Sequence, residues 1–493
     1  MLERFNVIRG FKIKDNFKKA LGSVIPAVLI LAIISYHFIN VYSYAARIND
    51  YISDECWYVS SARNIVFSVF GGKPLYVSDD GYVGINVLVS DYRNTYWVIN
   101  EVLINGGRVV KQDYKEVQLI YAEVKDLEVT HRLLEIPGVL SVIPGYRYPD
   151  AGRITQYLNT EHPPLAKYFI AVSLVACGDK PLCWRVPSII ASCIILIIVY
   201  LLVRSVVGGF VGNYLGVVAA LLTSLDVLFR SLSVVAMLDI FVSLFTILVL
   251  YLIIRCKARA ALAALGVSFI AKYTGLFNVP AVFYYLIKER VKPINAILHL
   301  VLIPLLSLTI SSIPLIITLG FQQWWFEAVE NAIRWHLSVK TLSGPPTSAP
   351  WEWLIGSNPF ILHYDYVNGE WVPDLIAKGN NILYLSSIAL TLLILPMIRK
   401  LPDGGTTSIY TWSIFLMYVL IWVAGSKTQY SFYMVQLTPL IYSSLIIQLF
   451  WITYSNNFLE LVRKWREIIV NIIRWLWGEA VIDINISLRT QNP

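Results

Sequence analysis

The chain has 493 residues, of which 57% are hydrophobic and only 15% are charged, and its mean hydropathy is +0.61. Because soluble domains carry about a quarter charged residues, this composition excludes a soluble globular protein. Several apolar runs reach the roughly 20 residues that cross ~30 Å of hydrocarbon. The formal net charge of +8 comes mostly from loops predicted to face the cytoplasm, so it does not indicate nucleic-acid binding. We predict an all-α polytopic membrane protein without a nucleic-acid partner.

The first 20 residues are basic and precede the first apolar run. Since Lys and Arg favour the cytoplasmic side of a membrane, we expect the N-terminus to be cytoplasmic. No small-residue cleavage site follows, so Leu21–Tyr42 is predicted to be a first span rather than a removed signal. Asp54 and Glu55 then emerge on the extracytoplasmic side. Applying the same charge rule to the later loops predicts about ten or eleven transmembrane helices.

Residues 72–148 interrupt the apolar pattern and predict a folded insertion in the first external loop. The predicted strands are Gly84–Ser90, Arg108–Lys115, Gln118–Lys125 and Val139–Ile143, and the predicted helices are Asp91–Asn105 and Asp126–Ile136. This order of strands and helices is that of a small α+β ferredoxin-like module. Its role stays open between support, partner contact and acceptor docking.

These patterns divide the chain into four predicted segments. They are the basic N-terminus, first span and acidic-pair loop (1–71), the ferredoxin-like insertion (72–148), a transmembrane core with a Trp-rich external loop at 320–378 (149–455), and an amphipathic cytoplasmic tail (456–493). The tail has apolar and basic residues at helical spacing, which is typical of a helix on a membrane surface. Cys177 and Cys183 flank a short polar loop and form a disulfide only if that loop faces an oxidising compartment.

Ionisable residues gather on the predicted extracytoplasmic side. They are Asp54, Glu55, Glu161, His162, Lys167, Arg185, Arg230, Asp239, Lys272, His336 and Lys427. Ionisable residues at membrane depth are costly to bury and are therefore candidates for function. Cations from separate segments suit a phosphate leaving group, and a carboxylate can take the proton of an attacking hydroxyl. Because the sequence has no P-loop or Gly-rich strand-to-helix turn for a soluble nucleotide, the donor is expected to come from the bilayer.

Several of these residues, and the tryptophans of the external loop, also have a structural explanation. Lys167 and Lys427 can extend to the membrane interface. Arg185 and Arg230 can form ion pairs with Asp226 or Asp239. His162 can orient the turn before Pro163. The tryptophans near residue 350 can form an interfacial belt rather than a sugar platform.

Several short motifs follow one another in a recognisable order. They are Asp54-Glu55, His162-Pro163-Pro164-Leu165-Ala166-Lys167, Arg185-Val186-Pro187-Ser188, Lys272-Tyr273-Thr274-Gly275, His336 with Ala349-Pro350-Trp351-Glu352-Trp353, and Lys427 with Phe432-Tyr433 and Pro439. This ordered set resembles the dolichyl-phosphate-mannose protein O-mannosyltransferase family of GT-C integral-membrane glycosyltransferases. The chain departs from the family pattern at Val234 and Lys427, where the family has Arg, and Arg230 lies one helical turn before Val234. The insertion and the lack of a long luminal domain point to an archaeal or bacterial member.

The resemblance implies a GT-C-like fold and an inverting transferase in the cell membrane, with its active site on the extracytoplasmic face. It would move a single sugar, mannose in the family, from a dolichyl or polyprenyl monophosphate to Ser/Thr hydroxyls of exported proteins. The implied site residues are Asp54 as general base with Glu55 assisting, Lys167, Arg185, Arg230, Lys272 and Lys427 around the donor phosphate, and Glu161, His162, Asp239, His336, Trp351 and Trp353 around the sugar or acceptor. No obligate metal or other cofactor is expected because cations surround the phosphate, and a role for a divalent cation stays open.

Three other functions remain compatible with the sequence. A GT-C transferase acting on a lipid or glycan would use the same donor chemistry. A transporter or flippase of lipid-linked sugars would consume no donor, and a non-catalytic subunit would need a partner with its own acidic pair. An oligosaccharyltransferase is disfavoured because Phe326, rather than Asp, follows Trp324-Trp325. Whether the chain forms a homo- or heterodimer is left open.

Overall fold

The computed structural model describes residues 20–72, 77–115, 117–145, 157–337 and 346–478, without the side chains of residues 20, 21, 92 and 335–337. The predicted basic N-terminal segment and the end of the predicted amphipathic tail therefore lie outside the described residues.

Apolar helices build most of the molecule. In chain order they are α1 (Ile25–Arg47), α2 (Glu55–Asn64), α3 (Thr95–Ile104), α4 (Val129–Leu134), α5 (Leu165–Cys177), α6 (Pro181–Val207), α7 (Gly209–Leu225), α8 (Val227–Ser233), α9 (Asp239–Ile254), α10 (Ala258–Ala271), α11 (Val279–Lys288), α12 (Pro293–Leu319), α13 (Phe321–Trp325), α14 (Ala332–Leu337), α15 (Pro350–Ile355), α16 (Asn381–Ile394), α17 (Thr406–Val423), α18 (Thr438–Thr453) and α19 (Asn457–Leu476). The strands are β1 (Val83–Val89), β2 (Arg108–Lys111), β3 (Leu119–Val124), β4 (Val139–Pro144), β5 (Phe360–Val367) and β6 (Glu370–Ala377).

Among the described helices, five are long and apolar enough to cross a membrane, or six if α7 and α8, bent by 70°, form one span. These helices make the chain a multi-pass membrane protein. Four shorter apolar helices, α5, α9, α10 and α18, have 13 to 16 residues. At 1.5 Å per residue they are shorter than the hydrocarbon core of a bilayer. The described residues thus contain five or six helices that meet both conditions, and the predicted total of about ten or eleven transmembrane helices stays a prediction.

Two of the short helices meet a charged residue at one end. Helix α9 begins at Asp239, and α10 ends just before Lys272, where a 3₁₀ turn spans Tyr273–Asn278. That turn packs tightly against α10, as the position of Gly275 shows. A Cβ atom there would lie 2.4 Å from the backbone of Ser268. Helix α18 likewise follows a 3₁₀ turn over Ser431–Gln436. The shortened helices thus leave polar side chains at helix ends inside the protein.

The predicted insertion is present as a ferredoxin-like module. Its antiparallel sheet has the strand order β2-β3-β1-β4, and α3 and α4 supply the two helices, which confirms the predicted order of elements. One sheet face packs Ile85, Val87 and Val124 against these helices. The other face contributes Leu88 and Leu119 to the main hydrophobic core. The module is therefore packed onto the helical bundle. Its exact bounds remain a prediction, since residues 73–76 and 146–156 are outside the described ones.

Three further features complete the fold. Strands β5 and β6 form a hairpin within the segment predicted as a Trp-rich loop, and Asn368 and Gly369 at its tip both have positive φ angles, as a two-residue hairpin turn requires. A disulfide joins Cys177 to Cys183, which is the oxidised alternative that the sequence left open. The amphipathic tail helix is described as α19, of which only Leu461 is buried.

Candidate active site around the acidic-pair loop

Asp54 lies at the start of α2, where the chain turns sharply into the helix. Ser53 has a φ of 50°, and the half-buried Asp54 occupies the N-cap position. Tyr58, one helical turn later, is buried. Burial raises the pKa of the Tyr58 phenol well above its ordinary value, and the negative charges of Asp54 and Asp239 raise it further. Asp54 and Asp239 therefore both lie within electrostatic reach of Tyr58.

Asp239 and Lys272 form a buried ion pair beside this group, with 2.5 Å between Oδ1 and Nζ. The second carboxylate oxygen, Oδ2, is buried and accepts no hydrogen bond from the described residues. The Lys272 ammonium lies 3.8 Å from the centroid of the Tyr433 ring, and the charge of Asp54 acts on it as well. In the described part of the chain, Lys272 donates a hydrogen bond to Asp239 alone, although an ammonium carries three donors. It can therefore donate to a further anion.

Aromatic rings surround these charged groups. The His162 ring lies 5.8 Å from that of Tyr58, and Trp353 lies behind Tyr433 at 6.4 Å. The Tyr157 hydroxyl donates to Glu161 over 2.9 Å, and burial, together with the Glu161 charge, raises the pKa of Tyr157. The predicted sugar- and acceptor-site residues Glu161, His162, Asp239 and Trp353 thus line or support the cluster. We use the name "Asp54 cluster" for Asp54, Tyr58, His162, Asp239, Lys272 and Tyr433.

Glu55 and Arg185 are engaged with each other rather than with this cluster, which corrects their predicted roles. Both side chains are fully buried and form a bidentate ion pair at 2.8 and 2.9 Å. The Glu55 carboxylate also accepts from the backbone amides of Ile52 and Ala236. Arg185 donates its remaining N–H groups to the carbonyls of Ala45, Ile48 and Asp50. Since a guanidinium has five donors, Arg185 has none left for a phosphate, and Glu55 is not placed to contact an acceptor.

Lys167 also has a structural role. This role corrects its predicted contact with the donor phosphate. The side chain is completely buried, and Nζ donates to the carbonyl oxygens of Leu158, Asn159 and His162. These three bonds use all the donors of an ammonium group. Lys167 therefore holds the turn that precedes α5, and it neither reaches the membrane interface nor offers a donor to a ligand.

The remaining predicted residues lie around the periphery or outside the described side chains. Arg230 is exposed on α8, and its charge acts on His37. Among the described residues, no contact between Arg230 and the Asp54 cluster is seen. Lys427 donates to the Trp422 carbonyl at 2.8 Å and lies over the Trp422 ring, which in turn contacts the half-exposed Trp351. His336 belongs to α14, but its side chain is not among the described ones.

Sequence reasoning missed the phenols of the cluster. Tyr58 lies four residues after Asp54, so the helical repeat alone would have placed it on the same side. Tyr433 was noted only as part of a motif and turns out to lie against the Lys272 ammonium. Among the described residues, no group of three or more His, Cys, Asp or Glu side chains could hold a metal ion. The expectation that no metal is needed stays a prediction.

The geometry permits one kind of chemistry in particular. A half-buried carboxylate, Asp54, can accept a proton from a hydroxyl group. The Lys272 ammonium, held nearby by Asp239, can stabilise negative charge that develops on a departing phosphate. Buried aromatic rings lower the local dielectric and strengthen both effects. The cluster therefore suits the transfer of a group from a phosphate to a hydroxyl.

Comparison with known proteins agrees with this chemistry. Residues 161–317 match the family model described as dolichyl-phosphate-mannose-protein mannosyltransferase, which confirms the resemblance over that part of the chain. No curated protein matches the sequence.

Two solved structures align with the chain, namely ArnT from Cupriavidus metallidurans bound to undecaprenyl phosphate and the same protein in the apo state. Each is 12% identical over 94% of this chain and 66% of its own, with TM-scores of 0.44 and 0.45. The chain thus spans just under two thirds of the length of these structures.

Proposed function

Since residues 161–317 match the dolichyl-phosphate-mannose-protein mannosyltransferase family, we propose that this chain is an inverting glycosyltransferase. It moves a single sugar, mannose, from a dolichyl or polyprenyl monophosphate to Ser/Thr hydroxyls of exported proteins. The observation that carries the proposal is the convergence of Asp54, Asp239 and Lys272, from three separate segments, on one aromatic-lined cluster.

The reaction follows from the positions of the two charged groups. The acceptor hydroxyl attacks the anomeric carbon while Asp54 takes its proton, and the bond from that carbon to the phosphate oxygen breaks. Negative charge develops on the leaving lipid phosphate, and Lys272 donates to it. Asp239 fixes the Lys272 ammonium through the 2.5 Å contact. A single direct displacement inverts the anomeric configuration.

The periphery of the cluster supplies candidates for binding the sugar and the acceptor. Trp57 follows Asp54 by three residues, is 43% exposed and contacts Tyr157 edge-on. Trp351 and Lys427 meet at Trp422 and form a second, more distant group. Aromatic faces of this kind present large, rigid contact areas to a ligand. The positive-inside pattern supports a cluster that opens on the extracytoplasmic side.

The test replaces Asp54 by Asn in protein reconstituted with a radiolabelled polyprenyl-phosphate mannose and a Ser/Thr-containing acceptor peptide. Loss of a general base is expected to lower the transfer rate about 10²- to 10⁴-fold, with the thermal midpoint unchanged. Asp79→Asn, the same chemical change at an exposed residue before β1 and outside the cluster, is the matched control and should transfer at the wild-type rate.

Two outcomes would contradict the proposal. Transfer by Asp54→Asn within a few-fold of wild type would remove Asp54 as the base. Movement of the intact donor across the bilayer, with no sugar released from phosphate by wild-type protein, would instead identify a transporter. Labelling of a lipid or glycan but never of the peptide would keep the enzyme and correct the acceptor.

A further inference from the structure

The ferredoxin-like module reaches the acidic-pair loop through a closed ring of contacts. The ring runs from the end of α1 to the β5–β6 hairpin, from the hairpin to the module, and from the module back to residues 48–54. Each step is a hydrogen bond or ion pair between side chains or backbone groups distant in sequence. Such a ring fixes the loop from several directions at once.

The first step joins α1 to the hairpin. Asp374 on β6 accepts a hydrogen bond from the Tyr44 hydroxyl and lies 3.8 Å from the Arg47 guanidinium. Its other carboxylate oxygen is 2.7 Å from His363 Nδ1 on β5. Tyr44 and Arg47 belong to the last turn of α1, directly before the loop. The hairpin is therefore attached at the point where the loop begins.

The second step joins the hairpin to the module through Lys115. Its Nζ donates to the Tyr364 carbonyl at 2.7 Å, lies 3.4 Å from His363 Nε2, and sits 4.7 Å from the centroid of the Trp371 ring. Lys115 follows β2 in the connection toward β3. A single lysine side chain thus links the two substructures.

The third step joins the module to the loop through Asp50. The buried Asp50 carboxylate accepts from the backbone amide of Lys115 at 3.3 Å and lies 3.7 Å from Lys111 Nζ. Its carbonyl accepts from Arg185, which also binds Glu55. Next in the chain, the Tyr51 ring stacks on Trp184 at 4.9 Å. Both ends of the segment 50–55 are therefore fixed, one by the module and one by the buried ion pair.

Between these two anchors lies the strained residue of the loop. Ser53 has a φ of 50°, a left-handed conformation that is unfavourable for a non-glycine residue and persists only where the surroundings impose it. Asp54 follows immediately. If one anchor is released, the loop is expected to relax toward ordinary backbone angles and to carry the Asp54 carboxylate away from Lys272.

We propose that the module and the β5–β6 hairpin act as a brace that holds Asp54 in its reactive position, with Asp50 and Lys115 as positioning residues. The inference assigns a role in turnover to the insertion, and it rests on the proposed transferase function. A misplacement of about 1 Å at a reacting group can lower a rate 10²-fold. Breaking the brace should therefore lower kcat 10- to 100-fold while leaving KM for the donor unchanged.

The experiment compares Lys115→Met and Asp50→Asn in full-length protein in lipid nanodiscs. Lys115→Met keeps the length of the side chain and removes the ammonium. Asp50→Asn removes the charge opposite Lys111 and leaves one oxygen where two accept, from the backbone amides of Tyr51 and Lys115. Lys125→Met, another exposed module lysine, which lies over Tyr82, is the matched control. Lys115→Arg should restore the bond to the Tyr364 carbonyl and so rescue kcat.

Hydrogen exchange provides a readout that does not depend on turnover. We expect faster exchange of the amides in residues 50–55 in Lys115→Met and Asp50→Asn, and no change in Lys125→Met. Unchanged exchange there, an unchanged kcat, or faster exchange spread through α6 and α9 would each overturn the positioning role. If wild-type protein transfers no sugar, the proposed function fails, and the exchange data alone then decide whether the brace holds the loop.

Discussion

Lys167 and Lys272 are both buried lysines, yet their surroundings give them opposite tasks. Lys167 donates to three backbone carbonyls of a turn. Lys272 contacts one carboxylate and the face of Tyr433. Both residues stand in motifs that predicted a phosphate site. The comparison teaches that a buried cation is available to a ligand only if the protein has not already used its donors.

Local sequence explains why Lys167 is used in this way. Pro163 and Pro164 have no backbone N–H and cannot donate to the carbonyls of the preceding turn. Asn159 has a φ of 51°, which turns the chain back on itself and gathers carbonyl oxygens. An ammonium group from the first turn of α5 then satisfies them. The histidine-proline-proline-lysine motif thus describes a folded turn, whatever else it does.

The largest expected effect is on Arg185, a second cation of the predicted phosphate site whose donors are all consumed. Arg185→Met leaves Glu55 buried without a counter-charge, and breaking a buried pair in this way typically costs about 3–5 kcal/mol. We expect a much lower free energy of unfolding and little folded protein after purification in detergent. Thermal melting followed by near-ultraviolet circular dichroism measures the change.

Arg230→Met is the matched control for Arg185, because Arg230 is exposed and a surface replacement usually changes stability by no more than about 0.5 kcal/mol. If Arg185→Met instead melts like wild type and only requires more donor for half-maximal rate, then Arg185 binds phosphate and the structural assignment is wrong.

Lys167→Met should have the next largest effect on stability. The replacement keeps the apolar stem but leaves the carbonyls of Leu158, Asn159 and His162 without their donor, and each unsatisfied buried group costs about 1–3 kcal/mol. The protein that does fold should use the donor with an unchanged KM. Melting and donor titration of the same preparation test both statements, and an increased KM at normal stability would restore Lys167 to the phosphate site.

Local patterns in the sequence predicted the module well. β1 and β3 are short, mostly apolar runs that are buried on both faces, and glycine or proline ends each of the two helices, so the order of elements could be derived. The β5–β6 hairpin was not predicted, because the segment was interpreted as a loop from its tryptophans. Asn368-Gly369 is nevertheless a strong hairpin signal. Apolar composition does not reveal where a polar residue ends a helix inside the protein, so the lengths of the individual helices could not be derived.

The site was harder to derive because its contacts join distant segments. Glu55 and Arg185 are 130 residues apart, and nothing local shows that they pair. The charge rule could assign Asp54, Asp239 and Lys272 to one side of the membrane but could not say which cations face a carboxylate and which face backbone carbonyls. That distinction depends on the path of the backbone between residues 157 and 167 and around residue 50, which periodicity does not encode.

Removing both charges of the Asp239–Lys272 pair together is expected to have the smallest effect on stability. Its effect on turnover is expected to be large. Replacing Lys272 alone would leave Asp239 buried and unpaired, so loss of activity would be confounded with loss of folding. The double variant Asp239→Asn with Lys272→Met has nearly the same shape and no charge, and replacing a buried pair by neutral groups is often close to neutral in stability. We expect a thermal midpoint near that of wild type and a transfer rate lower by at least about 10²-fold, the typical result of removing one group that stabilises transition-state charge. Unimpaired transfer by a folded double variant would show that Lys272, like Lys167, is a structural lysine.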